Sequence, residues 1–363
     1  MEVAIFCKVI DNFGDAGFCL RLARSLSNKV DTVRIYCDDM TLINKLNVSS
    51  KHYDYNMPKN LIMLNYYHEF QPVEIMSLNL VVEAFQAEPP IDFLRKIDVL
   101  GVATRVLIDH LTTEKRMDFF QNKYAPDYKL LKYANGSCWK NSPSAKRKWM
   151  APGFSGMSAG LITNGWKKVD LSLRSKFRNH ILNSNETKIK RNNGSDLGLV
   201  FIVCVFLYET KDFFLQCPIP EGFDSLAIWE PKSIVMNQVD FDCALQSCDF
   251  NFVRGEDSFI SAHNAAASDW KVPFVWQPYL EKNEGHIKKF EGWKKLLPDN
   301  KFHSYLEFAI LVASRKNLDF VNKWKVLTSD WNLFKINFHV FCSKILKQKS
   351  LEQSLLSCVE DNL

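Results

Sequence analysis

The chain has 363 residues, more than one hydrophobic core usually supports, so two domains are expected. Apolar residues make up 47% of the sequence, which suits a core in each domain and excludes an intrinsically disordered protein. The net charge of +5 is modest and spread along the chain, whereas a nucleic-acid-binding domain is expected to be strongly basic.

The 10 cysteines are irregularly spaced, without a CxxC pair or the Cys/His spacing of a zinc finger. This spacing favours reduced thiols and predicts no structural metal. The sequence starts directly on an apolar strand pattern without a basic leader, and no apolar run reaches the length of a membrane span. We therefore expect a cytoplasmic protein that binds neither nucleic acid nor membranes.

The first segments predict a βαβ unit. Residues 3–10 are typical of a buried strand, residues 11–17 of a turn and residues 32–37 of a second strand. A helical stripe at i, i+3, i+4 and i+7 connects them, formed by Cys19, Leu22, Ala23 and Leu26. Folds that open in this way bind ligands at the carboxyl end of the first strand, but a dinucleotide fingerprint needs three glycines in this turn, and only Gly14 and Gly17 are present.

The turn after the first strand carries two acids, Asp11 and Asp15, four residues apart. Both carboxylates can point into one cleft, where burial or mutual repulsion would tune their pKa values, so they could act as a general base and its orienting partner. Aspartate is also an ordinary turn and helix-capping residue, and Asp15 could simply cap the helix. The residues alone leave both interpretations open.

The middle of the chain predicts two further strands at 80–85 and 100–108 and a helical segment at about 113–122. A polar stretch, 123–148, is typical of a surface loop. The composition changes again at 183–196, where Asn, Ser, Lys and Gly predict a loop at the start of a second domain.

The second half alternates strands with helices, which predicts a second parallel sheet. Residues 199–206 are eight apolar residues in a row and predict its most buried strand. The other predicted strands are 233–236, 250–253 and 273–276, and the predicted helices are 241–247, 256–267 and 284–297. We predict an N-terminal domain at 1–160, a second domain at 161–325, and C-terminal helices at 326–363 that pack back on the first domain.

The turn Arg254-Gly255-Glu256-Asp257-Ser258 ends one predicted strand and opens the next helix. Unpaired backbone N–H groups beside a fixed positive charge suit a phosphate. Two acids in a first helical turn would repel that phosphate, and they are favourable in any helix cap, so a simple cap is the alternative.

Two βα domains in series form the architecture of GT-B glycosyltransferases. We therefore predict an α/β fold with two Rossmann-like domains facing across a cleft.

Four segments resemble the EarP family of bacterial protein-arginine rhamnosyltransferases, in matching order through both domains. They are IFCKVIDNFGDAGFCLRLAR at 5–24, APGF at 151–154, FVRGEDSF at 252–259 and PFVWQ at 273–277. The resemblance implies an inverting glycosyltransferase that moves rhamnose from dTDP-β-L-rhamnose to an arginine of translation elongation factor P. It also implies that the first domain binds the acceptor and the second binds the nucleotide sugar.

The resemblance also implies residue roles. Asp15 is the expected general base with Asp11 as its companion, and Glu256 is expected at the reacting centre or on the donor sugar. The expected acceptor-binding residues are Asn12, Phe13, Asp109 and His110, of which His110 replaces a tyrosine of the family. The expected donor-binding residues are Phe206, Tyr208, Gln238, Phe241, Arg254, Asp257 and Ser258.

An arginine acceptor explains the acids physically. A guanidinium keeps its proton, since its pKa exceeds ~12, and a carboxylate can both orient one nitrogen and accept the proton as the new bond forms. Neither a DxD pattern nor a histidine cluster indicates a divalent metal, so we predict metal-independent catalysis and no cofactor besides the donor. Two alternatives remain: a GT-B transferase with a glycan or lipid acceptor, and a non-catalytic nucleotide-binding protein.

Overall fold

The computed structural model describes residues 1–10, 13–50, 52–53, 55–100, 103–126, 146–192, 196–208, 212–231, 236–279, 285–315 and 319–360. Asp11, Asn12, most of the predicted strand at 233–236 and much of the polar stretch at 123–148 lie outside these residues. The chain divides into two compact units. The first contains Met1–Ser49, Tyr55–Gly165 and Gln348–Leu363, and the second contains Ser50–Asp54 and Trp166–Lys347.

Seven strands form the sheet of the first unit: β1 (Glu2–Cys7), β2 (Thr32–Cys37), β3 (Leu61–Asn65), β4 (Leu78–Ala84), β5 (Thr104–Ile108), β6 (Tyr124–Pro126) and β7 (Lys146–Met150). Their order is β3-β2-β1-β4-β5-β7-β6, and every neighbouring pair is parallel except β6 and β7. The strand order reverses between β1 and β4. At such a switch point the loops diverge and leave a crevice at the carboxyl ends of the strands, where ligands bind.

The helices before residue 165 are α1 (Phe13–Ser27), α2 (Met40–Leu46), α3 (Pro72–Met76) and α4 (Ile91–Leu100). The apolar stripe predicted for α1 is buried. On one face of the sheet, Phe6 of β1 stacks on Tyr36 of β2 with ring centroids 4.7 Å apart, and Phe93 of α4 lies 4.9 Å from Phe6. This aromatic core packs β1 against β2 and α4.

Five strands form the sheet of the second unit: β8 (Thr187–Arg191), β9 (Val200–Val205), β10 (Ser225–Trp229), β11 (Phe250–Arg254) and β12 (Phe274–Gln277). Their order is β12-β11-β9-β10-β8, and only β8 is antiparallel to its neighbour. Every residue of β9 is buried, as its unbroken apolar run predicts. The switch point of this sheet lies between β9 and β11.

The helices of the second unit are α5 (Leu171–Leu182), α6 (Gln238–Ser247), α7 (Asp257–Ala267), α8 (Gly285–Lys294), α9 (Asp299–Ala313), α10 (Phe320–Thr328) and α11 (Trp331–Leu346). The last helix, α12 (Leu351–Glu360), belongs to the first unit. Among the described residues, no helix combines the length and the apolar character needed to cross a lipid bilayer.

A buried carboxylate ties α12 to the rest of the first unit. Glu352 is 0% exposed, and its Oε1 accepts hydrogen bonds from the backbone N–H of Thr163 at 3.1 Å and of Asn164 at 3.0 Å. The side chains of Asn164 and Ser25 donate to the same oxygen. Glu352 of α12 therefore connects three parts of the first unit: α1, the segment at Thr163 and Asn164, and α12 itself.

Several predicted boundaries differ from the structure. The strand predicted at 100–108 begins at Thr104, because Leu100 still belongs to α4. The loop predicted at 183–196 contains β8, an edge strand whose alternating charged residues made its pattern polar. The predicted helical segment at 113–122 is a 3₁₀ helix, Lys115–Phe120.

The division into units also differs from the predicted domains. The first unit runs to Gly165, where the predicted domain ended at 160. The predicted C-terminal segment, 326–363, is divided: residues up to Lys347 belong to the second unit, and those from Gln348 belong to the first. The split follows the packing of α11, whose Phe338 lies 5.2 Å from Phe274 of β12.

Candidate functional site

Predicted donor residues from β9 and β11 meet at the switch point of the second sheet. Phe206 and Tyr208 follow β9, and Arg254 ends the neighbouring parallel strand β11. The guanidinium carbon of Arg254 lies 4.3 Å from the ring centroid of Phe206 and 4.9 Å from that of Tyr208. Its Nη1 donates to the carbonyl of Leu207 at 2.9 Å. The aromatic rings and this bond hold the positive charge at the carboxyl edge of the sheet.

Gly255 gives the turn its shape. Its φ of +64° lies in the left-handed region, and a Cβ at this position would lie 3.3 Å from the hydroxyl of Tyr208. The glycine N–H donates to the carbonyl of Gln277 at 3.3 Å, and Trp276 Nε1 donates to the glycine carbonyl at 2.7 Å. The positive φ favours glycine here, and a Cβ would press on the hydroxyl of Tyr208.

Ser258 closes the same turn. Its Oγ accepts a hydrogen bond from the backbone N–H of Arg254 at 3.1 Å and donates to the carbonyl of Arg254. The side chain is buried in the first turn of α7. The predicted hydrogen bond from Ser258 to a phosphate stays a prediction, since in this structure the hydroxyl holds the strand against the helix.

Both acids of the turn are paired with side chains from other elements. Lys289 Nζ of α8 lies 2.7 Å from Glu256 Oε1, and Gln238 Nε2 of α6 donates to Asp257 Oδ2 at 3.3 Å. The start of α6 also carries Phe241, whose ring centroid lies 5.1 Å from that of Phe206. Five of the predicted donor-binding residues are therefore linked by direct contacts at one edge of the second sheet: Phe206, Tyr208, Phe241, Arg254 and Ser258. The other two, Gln238 and Asp257, contact each other, and Glu256 contacts Lys289.

The structure adds three residues around Tyr208 that the sequence analysis did not assign to the site. The guanidinium carbon of Arg315 lies 5.4 Å from the Tyr208 ring centroid, and the ring of Tyr279 lies 5.7 Å away. Gln277 Oε1 accepts the backbone N–H of Tyr208 at 3.0 Å. Of the three, only Gln277 has a sequence signal, because it lies within the PFVWQ segment. The positions of Arg315 and Tyr279 depend on how distant segments pack.

In the first unit, Asp15 lies in the first turn of α1, next to the carboxyl end of β1. It is 5% exposed, and its Oδ2 accepts the backbone N–H of Ile10 at 2.9 Å. The helix N-terminus favours a negative charge at this position. Phe13 begins the same helix and is half-buried, whereas the predicted partners Asp11 and Asn12 lie outside the described residues.

The predicted acceptor residues Asp109 and His110 follow β5 at the same carboxyl edge as Asp15. Trp149 Nε1 donates to Asp109 Oδ2 at 3.2 Å. The ring of His110 stacks on Phe85, with centroids 4.6 Å apart, and Phe85 lies 5.0 Å from Phe18 of α1. A line of rings thus connects α1 to the end of β5. No sequence pattern assigned Phe85 or Trp149 to the acceptor site.

His263 is a core residue, as an isolated histidine suggests. It is fully buried in α7, its Nδ1 donates to the carbonyl of Phe259 at 2.8 Å, and Phe274 and Trp293 surround its ring. Burial lowers the pKa of His263 to about 3. The described part of the chain has no group of three or more His, Cys, Asp or Glu side chains placed to hold a metal ion.

Comparison with known protein families gives one match that covers most of the chain. Residues 3–215 and 232–360 match the profile described as elongation factor P (EF-P) rhamnosyltransferase EarP. Both segments quoted for the two candidate sites, 5–24 and 252–259, fall within the matched ranges.

Individual relatives agree with this match. A protein-arginine rhamnosyltransferase of Shewanella oneidensis is 24% identical, over 82% of this chain and 80% of the relative. A solved structure described as the basis for EarP-mediated arginine glycosylation of EF-P superposes with a TM-score of 0.50 at 18% identity, covering 100% of this chain and 99% of that one. The glycotransferase of kitacinnamycin also reaches 0.50, at 8% identity, over 100% and 99% of the two chains. These likenesses confirm the predicted fold class, α/β with two Rossmann-like units of the GT-B type.

Proposed function

The chain belongs to the EarP family of elongation factor P rhamnosyltransferases, and on that premise we propose that it transfers rhamnose from dTDP-β-L-rhamnose to an arginine of elongation factor P. The observation that carries the proposal is the convergence at the second switch point. Side chains following β9, ending β11 and opening α6 contact one another where an open α/β sheet binds its ligand.

We assign the nucleotide sugar to this edge. Arg254 brings a fixed positive charge, and the backbone N–H groups that follow Gly255 open α7, an arrangement that suits a diphosphate. Phe206, Tyr208 and Phe241 offer aromatic faces for the base and ribose. The diphosphate gains negative charge as it leaves, so these groups would bind it most strongly in the transition state.

Asp15 is assigned the role of general base. One carboxylate oxygen is held by Ile10, which fixes the side chain relative to β1. A guanidinium paired with this carboxylate would present one nitrogen for in-line attack on the anomeric carbon. The C–N bond forms as the bond between the anomeric carbon and the phosphate oxygen breaks; its electron pair leaves with dTDP, and the nitrogen proton passes to Asp15.

A single displacement of this kind inverts the anomeric carbon. It uses no cofactor besides the donor and no metal, and undiminished transfer in the presence of a chelator is the expected result. The proposed partners are the acceptor protein and the nucleotide sugar. The expected location is the cytoplasm.

The test is incubation of the protein with dTDP-β-L-rhamnose and elongation factor P, followed by mass spectrometry of the acceptor. One deoxyhexose on one arginine is expected. An unmodified acceptor, with dTDP still bound by the enzyme, would overturn the arginine acceptor and leave a transferase acting on another substrate.

The base is tested by Asp15→Asn, which keeps an oxygen for the Ile10 N–H but cannot accept the proton. The transfer rate is expected to fall about a hundredfold or more, whereas dTDP binding is retained. Asp170→Asn is the matched control, because Asp170 also lies at a helix N-terminus and accepts the N–H of Leu173 at 2.8 Å, in the second unit. A normal rate in Asp15→Asn would exclude this residue as the base.

A further inference from the structure

The phosphate-binding turn carries two acids, and an anionic ligand beside them would be repelled. Glu256 contributes to this repulsion, because it directly precedes the first turn of α7, where the backbone N–H groups would receive the phosphate. Any group that offsets the charge of Glu256 therefore affects the affinity of the turn for the donor.

Lys289 is placed to offset this charge. Its Nζ lies 2.7 Å from Glu256 Oε1, and the two side chains are 21% and 25% exposed, so the ion pair is largely withdrawn from solvent. Bulk water and salt screen such a pair less than a fully exposed one. The second acid, Asp257, accepts its hydrogen bond from Gln238, a neutral amide.

The helix that carries Lys289 is held firmly against α7. Trp293, one turn further along α8, is 1% exposed, and its ring lies 5.1 Å from Phe259 of α7 and 4.8 Å from His263. Residues four apart lie on the same helix face, so the packing of Trp293 directs Lys289 toward the start of α7. The lysine is thus positioned by the core of the second unit.

We propose that Lys289 is a positioning residue that holds the carboxylate of Glu256 by its ion pair and offsets its negative charge, so that the turn can accept a nucleoside diphosphate. The inference rests on the proposed function. In this role Lys289 acts through Glu256 and does not contact the ligand itself.

Binding of dTDP, measured by calorimetry without transfer, tests this proposal. Lys289→Gln removes the ion pair to Glu256 and is expected to weaken dTDP binding about tenfold, whereas Lys289→Arg restores most of the affinity. Lys288 is the matched control, because it is the preceding residue of α8 and is exposed. Lys288→Gln makes the same change in net charge and is expected to bind dTDP like the wild type.

The decisive comparison repeats Lys289→Gln in a Glu256→Gln background. If Lys289 acts through Glu256, the double variant binds dTDP as tightly as Glu256→Gln alone. An equal loss of affinity in both backgrounds would overturn the proposal, and so would unchanged binding by Lys289→Gln. A wild-type protein that binds no dTDP would instead overturn the proposed function, and this inference with it.

Discussion

Gly255 lies in the left-handed region of backbone conformation, between the end of β11 and the start of α7. For any other L-residue this conformation costs about 1–2 kcal/mol. An added methyl group would also approach the hydroxyl of Tyr208 to 3.3 Å, so Tyr208 would have to shift. Substitution here therefore combines backbone strain with disturbance of a predicted donor contact.

We expect Gly255→Ala to lower the free energy of unfolding by about 1 kcal/mol and to weaken dTDP binding several-fold. Urea denaturation and calorimetry measure the two effects. Gly222→Ala distinguishes backbone strain from the contact with Tyr208. Gly222 also has a positive φ, +85°, but a Cβ there would meet no atom within 4 Å. It should lose similar stability and keep its dTDP affinity. Wild-type affinity in Gly255→Ala would show that Tyr208 adapts without consequence.

The packing of α7 against α8 depends on a neutral histidine. His263 is fully buried among Phe259, Phe274 and Trp293, and burial lowers its pKa to about 3. In the unfolded chain the same imidazole titrates near its ordinary value of 6.5. Below that pH the unfolded state binds the proton and the folded state does not, so acid favours unfolding.

The free energy of unfolding should therefore fall, on account of His263, by up to about 1.4 kcal/mol per pH unit as the pH drops from about 6.5 toward 3. Above pH 6.5 this residue adds no pH dependence. His263→Phe keeps an aromatic ring in the site and removes the proton, so its stability should depend less steeply on pH over that range. A slope in His263→Phe equal to that of the wild type would contradict the assignment.

The helices and strands that the sequence predicts best are those in which the residue types match the burial of each position in the fold. The strand β9 was visible because both of its faces are buried, and the strand–turn–helix around Gly255 was visible because the glycine and the acids occur within a few residues. The edge strand β8 was missed because a strand with one solvated face and charged residues has the composition of a loop.

Contacts between distant segments could not be predicted in the same way. Lys289 is 33 positions from Glu256, and Trp149 is 40 positions from Asp109. The two residues of each pair come into contact through the tertiary packing of helices and strands. Local sequence patterns do not encode that packing. Local sequence patterns therefore indicate the residues expected to act on substrate but not the residues that hold them in place.

The first unit of the molecule is built from separate stretches of the chain, and Glu352 joins them. Its Oε1 accepts hydrogen bonds from Ser25, Thr163 and Asn164, all within that unit. Gly160 makes the same junction tight, because a Cβ there would collide with the carbonyl oxygen of Lys349. The unit is complete only when α12 is in place.

We expect Glu352→Ala to destabilise the first unit by about 3 kcal/mol, because it leaves several buried donors without an acceptor. The N–H groups of Thr163 and Asn164 should then exchange with solvent faster, which hydrogen exchange with mass spectrometry can measure. Glu360→Ala is the control, because Glu360 lies at the exposed end of the same helix. Unchanged protection at Thr163 and Asn164 would show that the junction holds without the carboxylate.

The discontinuous first unit also dictates an order of events during synthesis. The ribosome makes residues 1–165 first, then the whole of 166–347, and only afterwards the segment that carries Glu352. An early-folding first half must therefore wait, with the donors of Ser25, Thr163 and Asn164 unmatched, until the second unit has emerged. A nascent chain interrupted before residue 348 would contain all of 166–347 but a first unit without α12, so among the described elements α12 is the one whose synthesis completes the first unit.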